Sequence, residues 1–442
     1  MTMGQVVTRE RIEEADALIT QHLGPGIFNR AGWEYILEKH GGRLPLRIKA
    51  VREGTKVTTS NVMMTVENTD ERVPWLTNFA ETALTHVWYP STVASLSYDT
   101  KNLLRKYLEG TSDATGDDAE AILGFQLHDF GCRGTETMGA AAIGGSAHLL
   151  SFDGTDTVPA LTIPRRYYGA GDEVYGYSVR ATEHSIMTAR GEEGEFDVVA
   201  ELLRKNPTGI MAMVIDSYNY ERFLYTCGSR FKEVIMSRPG RIVFHPDSGD
   251  IVEVSQRCLE ILGDCFGYTT NSKGYKVLPD QVRVLWGDGI DKGGIDTILS
   301  ESKKNGWSSE NWVFGMGGGL LQKVNRDVCR FAFKCSSQKY GGAWHDVKKN
   351  PLDQSKASKA GRLKLITDGE GGFATLPEGV CPHIPDQLET VYENGVLLRE
   401  QTYAEIRDLV RAREPWSEAT MNAVLRQEPE EAWAGAHLTG HY

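Results

Sequence analysis

Between residues 8 and 22 apolar positions return every three or four residues, at Ile12, Ala15, Leu18 and Ile19. With Thr8 placed to cap it, this stretch predicts an amphipathic helix, and residues 28 to 40 predict a second. The period then falls to two. LPLRIKAV (44–51) and NVMMTVE (61–67) read as strands around a polar turn, and helical patterns follow near Trp75 to Val87 and Ser95 to Leu108. The polar run GTSDATGDDAE (110–120) predicts the first domain boundary, closing an N-terminal helical and β-rich lobe at residue 124.

From Phe125 the texture changes to short apolar runs that end in small or acidic residues and alternate with helical patterns. Their ends are FQLHDFG, FDGTDT, YGYSV, MAMVIDS, RIVFHPDSGD, VRVLWGDGI and NWVFGMGGG. Seven such units predict a parallel α/β catalytic domain over 125–330, with its loops gathered at the C-terminal ends of the strands, the rim where barrels bind ligands. The segment 331–442 carries a lysine-rich loop, KKNPLDQSKASKAGR (348–362), strands in GRLKLITD and ETVYENGVLL, a helix near Tyr403 to Arg413 and a tail ending EPEEAWAGAHLTGHY.

Composition narrows the function classes. With 442 residues, 40% hydrophobic and 24% charged, the chain is ordinary globular protein. A net charge of -12 argues against a general nucleic-acid-binding surface, so any phosphate site must be a local basic patch. No apolar run approaches the length of a membrane span, and MTMGQVVTRERIEE lacks a signal-peptide core, which predicts a soluble cytoplasmic protein. Seven cysteines without a CxxC pair form neither a disulfide framework nor a zinc site.

The candidate chemistry lies on the expected rim. In NWVFGMGGGLLQKVNR (311–326), Gly317, Gly318 and Gly319 can turn backbone N–H groups toward one anion, with a helix opening at Leu320 behind them. The run matches neither the Gly-Lys-Ser/Thr nor the GxGxxG phosphate fingerprint. Asp129, Arg133, Asp156, His184, Asp216, Asp247 and Asp288 fall at the other strand ends, where an acid serves equally as a helix cap. GDGID (287–291) suits a ribose diol, with Asp288 as acceptor, or a plain tight turn. His184, after Glu183, is either structural, a proton carrier or a nucleophile toward phosphate. No paired-histidine spacing supports a metal held by protein alone, so magnesium would arrive on a phosphorylated substrate. Lys323, Arg326, Lys334, Lys348, Lys349, Lys356 and Lys359 supply positive charge for a substrate with more than one phosphate group.

Taken in order, HDFGCRG, FDGTDT, GYSVRATEHS, IDSYNY, PDSGD, GDGID, SKGYKVLP, FGMGGGLLQKVNRD and FKCSS resemble the nicotinamide phosphoribosyltransferase family, relatives of the nicotinate phosphoribosyltransferases. The likeness runs upstream through FNRAGWEYILEKHGGRLPLRIKAV and downstream to KASKAGRL. It implies a type II phosphoribosyltransferase: an incomplete α/β barrel with a β-rich second lobe formed from the N- and C-terminal segments, acting as a homodimer with active sites at the interface. It implies attack of the nicotinamide ring nitrogen on C1 of phosphoribosyl pyrophosphate, in NAD salvage, giving nicotinamide mononucleotide and pyrophosphate. Mg2+ would accompany the diphosphate, and ATP would be a coupled substrate.

Residue by residue, the resemblance puts Phe130 on one face of the pyridine ring, Arg133 near ring and leaving group, and Asp156 on the carboxamide. Asp247, Gly287 and Asp288 would hold the ribose, Gly317 and Gly318 the 5'-phosphate, and Arg326, Lys334, Lys349 and Lys356 the pyrophosphate or ATP phosphates. His184 matches the histidine transiently phosphorylated by ATP, with Glu183, Asp216 and Asp247 as neighbours. The chain departs from the pattern at His245, where the family carries an arginine touching ring and ribose, at Cys132, where an aromatic is common, and at Ala332, where a serine is common. Family members also begin with an Asp-Ser-Tyr-Lys-type segment, the source of a second stacking ring, which is expected to be missing here. A nicotinate-preferring enzyme and a truncated, non-catalytic nucleotide-binding homologue are the alternative readings.

Overall fold

The computed structural model describes residues 3–348, 358–367 and 372–412. The chain forms two compact units, residues 88–328 and residues 1–87 together with 329–442.

The first unit is built on seven strands: β1 (Leu127–Asp129), β2 (Gly154–Thr155), β3 (Arg180–Ala181), β4 (Gly209–Val214), β5 (Gly240–His245), β6 (Val282–Trp286) and β7 (Trp312–Met316). They lie in the order β2-β1-β7-β6-β5-β4-β3, and every neighbouring pair is parallel. An isolated parallel bridge joins Gly154 of β2 to Tyr177, just ahead of β3. Thr155 N–H donates to the Tyr177 carbonyl at 2.9 Å and Tyr177 N–H to that of Asp153 at 2.7 Å. The sheet thereby curls into an incomplete α/β barrel.

Alternation along the strands separates two cores. Ala212, Val243 and Leu285 pack inside the curl with Phe130 and Val313. Met211, Met213, Ile242, Phe244, Val284 and Phe314 point outward into the helix-lined core. Both faces of β4 to β7 are therefore apolar, which is why these strands read as continuous hydrophobic runs. Gly209 and Gly240 open β4 and β5 side by side, and a Cβ on Gly240 would lie 2.1 Å from the Gly209 carbonyl oxygen. Only glycine fits that approach.

The boundary expected after residue 124 falls inside this unit. The division lies at Val87/Trp88, because the helix Trp88–Thr111 buries Val93, Leu104 and Leu108 in the barrel's outer core. The polar run 110–120 ends that helix and begins another, Gly116–Phe125, with Asp117 and Asp118 in its first turn. Acidic residues there suit the positive end of a helix as well as they suit a linker.

The second unit joins both parts of the chain in one antiparallel sheet, ordered Val396–Leu397, Glu389–Glu393, Leu46–Ala50, Met64–Asn68. Helices Arg9–Leu23 and Arg30–His40 contribute Ile12 and Ile36 to its core with Leu46, Ile48 and Tyr392. Thr8 caps the first helix by accepting from Arg11 N–H at 3.3 Å. Leu18, expected on its buried face, is 64% exposed. Asn394 and Gly395, at φ 50° and 88°, make the tight turn after Glu389–Glu393. A further hairpin, Ser337–Tyr340 with Ala343–Asp346, stands where the sequence showed no periodicity. Lys349, Lys356 and the tail from residue 413 lie outside the described residues. Among the described residues no helix is long and apolar enough to cross a membrane.

Candidate active site

The strands deliver their polar ends to one rim. After β1, Asp129 is fully buried, and its Oδ1 accepts from Gly131 N–H at 2.7 Å. It holds a turn and its side chain is closed off from solvent, unlike the exposed Asp156 and Asp288 among the expected rim acids. Burial raises the Asp129 carboxyl to about 6. The turn presents Phe130, whose N–H donates to the Met316 carbonyl at 3.0 Å. A Cβ on Gly315 would lie 2.0 Å from the Phe130 ring, so the absence of that atom lets the ring lie across β7. Arg133 follows in the single turn Cys132–Gly134 and is exposed.

The glycine loop lies beside this turn. A Cβ on Gly131 would sit 3.0 Å from the Gly317 carbonyl oxygen, and one on Gly134 would meet Gly318 Cα at 3.8 Å. Gly319 belongs elsewhere, because its Cβ would press to 2.6 Å from the Ile290 carbonyl oxygen, marking it as a packing glycine. The helix expected at Leu320 spans Gly318–Leu321, a single turn whose dipole is small. Arg326 is exposed, its guanidinium 3.5 Å from Asp327.

His245 ends β5 with its ring 6.5 Å from that of Phe130, centroid to centroid. Its Nε2 lies 3.4 Å from Asp247 Oδ1. A Cβ on Gly287, after β6, would meet His245 Nε2 at 2.8 Å and Asp247 Oδ1 at 3.7 Å. Gly287 is thus the wall against which the His245–Asp247 pair rests. Contact with His245, reinforced by the charges of His184 and Arg133, holds the Asp247 carboxyl below its ordinary range. Asp288 lies just beyond with its side chain exposed, its backbone carbonyl accepting from Trp286 Nε1 at 2.9 Å.

The histidine of EHS opens the short helix His184–Met187 after β3. Its Nε2 lies 3.2 Å from Asp216 Oδ1, and Ser248 donates its hydroxyl to Asp216 Oδ2. Glu183 accepts from the Ser185 hydroxyl. Asp156, after β2, accepts from Ser178, and its backbone N–H donates to the Asp129 carbonyl at 2.9 Å. The sequence reading passed over Ser178 and Ser248, although each lies within a quoted motif, GYSV and PDSGD. Hydroxyls beside acids were the available signal.

Phe130, Arg133, His184, Asp216, His245, Asp247 and Gly287 are therefore linked through contacts and mutual fields on one rim. Lys334 belongs to the second unit and is exposed. Among the described residues no group of three or more His, Cys, Asp or Glu side chains is arranged to hold a metal ion.

A parallel α/β barrel with acids, a paired histidine and a glycine loop at its C-terminal rim is an architecture for phosphorylated-sugar chemistry. The chain belongs to the nicotinate phosphoribosyltransferase (NAPRTase) family of pentosyltransferases, whose model matches residues 125–396. The model of the nicotinamide phosphoribosyltransferase N-terminal domain matches residues 1–48. Nicotinamide phosphoribosyltransferase of Xanthomonas campestris pv. campestris (strain 8004) is 45% identical over 410 residues, covering 91% of this chain and 86% of that protein. The Acinetobacter baylyi protein of the same name is 34% identical over 389 residues, covering 83% and 76%. The crystal structure of human nicotinic acid phosphoribosyltransferase shares the fold, with a TM-score of 0.50 at 15% identity over 96% of this chain and 91% of that one.

Proposed function

We propose that this chain is a nicotinamide phosphoribosyltransferase that joins nicotinamide to the ribosyl carbon of phosphoribosyl pyrophosphate in NAD salvage, releasing pyrophosphate, and that ATP drives the reaction through phosphorylation of His184. The observation that carries the reading is the linked rim of Phe130, His245, Gly287, Asp247, His184 and Asp216, in a chain 45% identical to the Xanthomonas enzyme of that name.

Each part has a task. Phe130 offers a ring face for the pyridine, and Asp156 accepts from the carboxamide N–H2 while repelling the carboxylate of nicotinate. As the bond to pyrophosphate lengthens, positive charge grows on the ribosyl carbon, and Asp247, kept ionised by His245, His184 and Arg133, is the acid suited to the ribose hydroxyls beside it. Gly287 leaves room for the sugar, and Gly317 and Gly318 for its 5'-phosphate. Arg133 and Arg326 supply charge for the leaving diphosphate and for ATP. Mg2+ enters on the diphosphate oxygens. With Nε2 held by Asp216, Nδ1 is the His184 nitrogen left to receive a phosphoryl group. The enzyme works in the cytoplasm as a homodimer with its active sites at the subunit interface.

Purified protein supplied with phosphoribosyl pyrophosphate, Mg2+ and ATP should convert nicotinamide to its mononucleotide and use nicotinate far less well. Preference for nicotinate would overturn the role of Asp156, and no product from either base would overturn the reading.

A further inference from the structure

The loop after β5 places two neighbouring residues on two different tasks. Asp247 faces His245 and Gly287, while Ser248 turns the other way and donates to Asp216 Oδ2, whose Oδ1 faces His184 Nε2 at 3.2 Å. Asp216 is 7% exposed at its side chain and His184 is 48% exposed. The acid is therefore fixed within the wall and the imidazole stands out into the site. Beyond Asp216 and Ser248 lies a cleft of about 390 Å³, lined also by Tyr218, Asn219 and Glu221. Without the serine hydroxyl the carboxylate has open space to rotate into, away from His184.

We infer that Ser248 is a positioning residue for the phosphorylation of His184: it locks Asp216 so that the carboxylate holds Nε2–H and leaves the Nδ1 lone pair to the phosphoryl donor. This rests on the phosphohistidine reading above. Nδ1 attacks the γ-phosphorus of ATP, the bond from that phosphorus to the β–γ bridging oxygen breaks, and ADP leaves with the electron pair. The Nε2 proton stays in place, and the positive charge of the phosphoimidazolium is met by Asp216. Because Ser248 is joined to Asp247 by one peptide bond, a shift of this loop at the ribose moves the support of His184 as well. The structure thus provides a short covalent link between the sugar and the ATP-driven histidine.

The test compares the parent protein with Ser248→Ala and Ser248→Thr, using Mg-ATP, nicotinamide and phosphoribosyl pyrophosphate. Three quantities are read: acid-labile phosphate on the protein, its isomer by phosphorus NMR, and mononucleotide formed with and without ATP. In Ser248→Ala the ratio of phosphorylation rate to ATP-free transfer rate should fall about tenfold, the size of one hydrogen bond to a charged group. Phosphate should also appear on both ring nitrogens in place of Nδ1 alone, and Ser248→Thr should restore both properties. A Ser248→Ala protein that keeps the parent's ratio and single isomer would overturn the inference. So would equal loss of both rates without rescue by threonine, since that marks a merely structural serine. If the parent itself takes no phosphate on His184, the underlying reading falls, and this inference with it.

Discussion

His184 Nε2 lies 3.2 Å from Asp216 Oδ1, so the imidazole is held by an acid on one nitrogen and open to the site on the other. In Asp216→Asn the amide oxygen can still accept from Nε2–H, but it cannot balance the charge of a phosphorylated ring. Phosphohistidine formation should drop about 100-fold. Rapid quench with radiolabelled ATP measures this, and an unchanged rate would show that the contact is incidental.

Gly287 matters for the atom it lacks. Its φ is not in the left-handed region, so alanine is acceptable to the backbone, but a Cβ would reach 2.8 Å from His245 Nε2. The imidazole must yield and leave Asp247. The KM for phosphoribosyl pyrophosphate should rise roughly tenfold or more in Gly287→Ala, since small displacements of binding groups are costly. The thermal midpoint should hardly move. A normal KM would remove Gly287 from the ribose site.

Asp156 is exposed on the rim and accepts from Ser178, so its carboxylate is available to a ligand and oriented from one side. Asp156→Asn removes the repulsion that nicotinate meets and replaces a strong acceptor with a weaker one. The ratio of kcat/KM for nicotinamide over nicotinate should fall at least about tenfold. Paired assays on the two bases decide it, and an unaltered ratio would place base selection elsewhere.

The buried carboxyl of Asp129 gives a pH signature. Its value rises from 3.8 to about 6 because burial disfavours the charge. The folded chain holds this proton more tightly than the unfolded chain. The associated stability is therefore complete below the unfolded value of 3.8 and is lost as pH climbs through about 6. Asparagine can keep the Gly131 hydrogen bond without ionising. From pH 4 to pH 7 the stability difference should shift toward Asp129→Asn by about 2 to 3 kcal/mol. Denaturant midpoints across that range test it, and a difference independent of pH would contradict the raised value.

These residues also show what a sequence read alone makes legible. Strands β4 to β7 were visible, because a sheet buried on both faces has runs too apolar to belong elsewhere, and their order along the chain placed the acids on one rim; β3, the exposed pair Arg180–Ala181, lies just past the expected run YGYSV. The inner and outer faces were not separable: Ala212 and Met213 look alike in a string, yet one faces the barrel interior and the other the helices. Asp129 and Asp156 follow successive strands in similar settings. One is sealed beneath a turn, bonded to Gly131 N–H, and the other is exposed and accepts from Ser178. Gly319 was indistinguishable from Gly317 and Gly318 until the Ile290 carbonyl appeared against it. The domain boundary was misplaced for a related reason, since the contacts that assign the helix Trp88–Thr111 are made with helices synthesised after it, above all Met138–His148.

The antiparallel sheet of the second unit has a consequence for synthesis. Its strand Leu46–Ala50 pairs with Glu389–Glu393, and Arg47 reaches Glu393 across 346 residues of sequence. Everything from 88 to 328 leaves the ribosome in between, a wait on the order of 20 to 70 s at ordinary translation rates. The barrel, whose strands all lie within that interval, is free to fold first. Meanwhile one edge of the Leu46–Ala50 strand stays open, and until its distant partner arrives it is a template for pairing with the wrong strand.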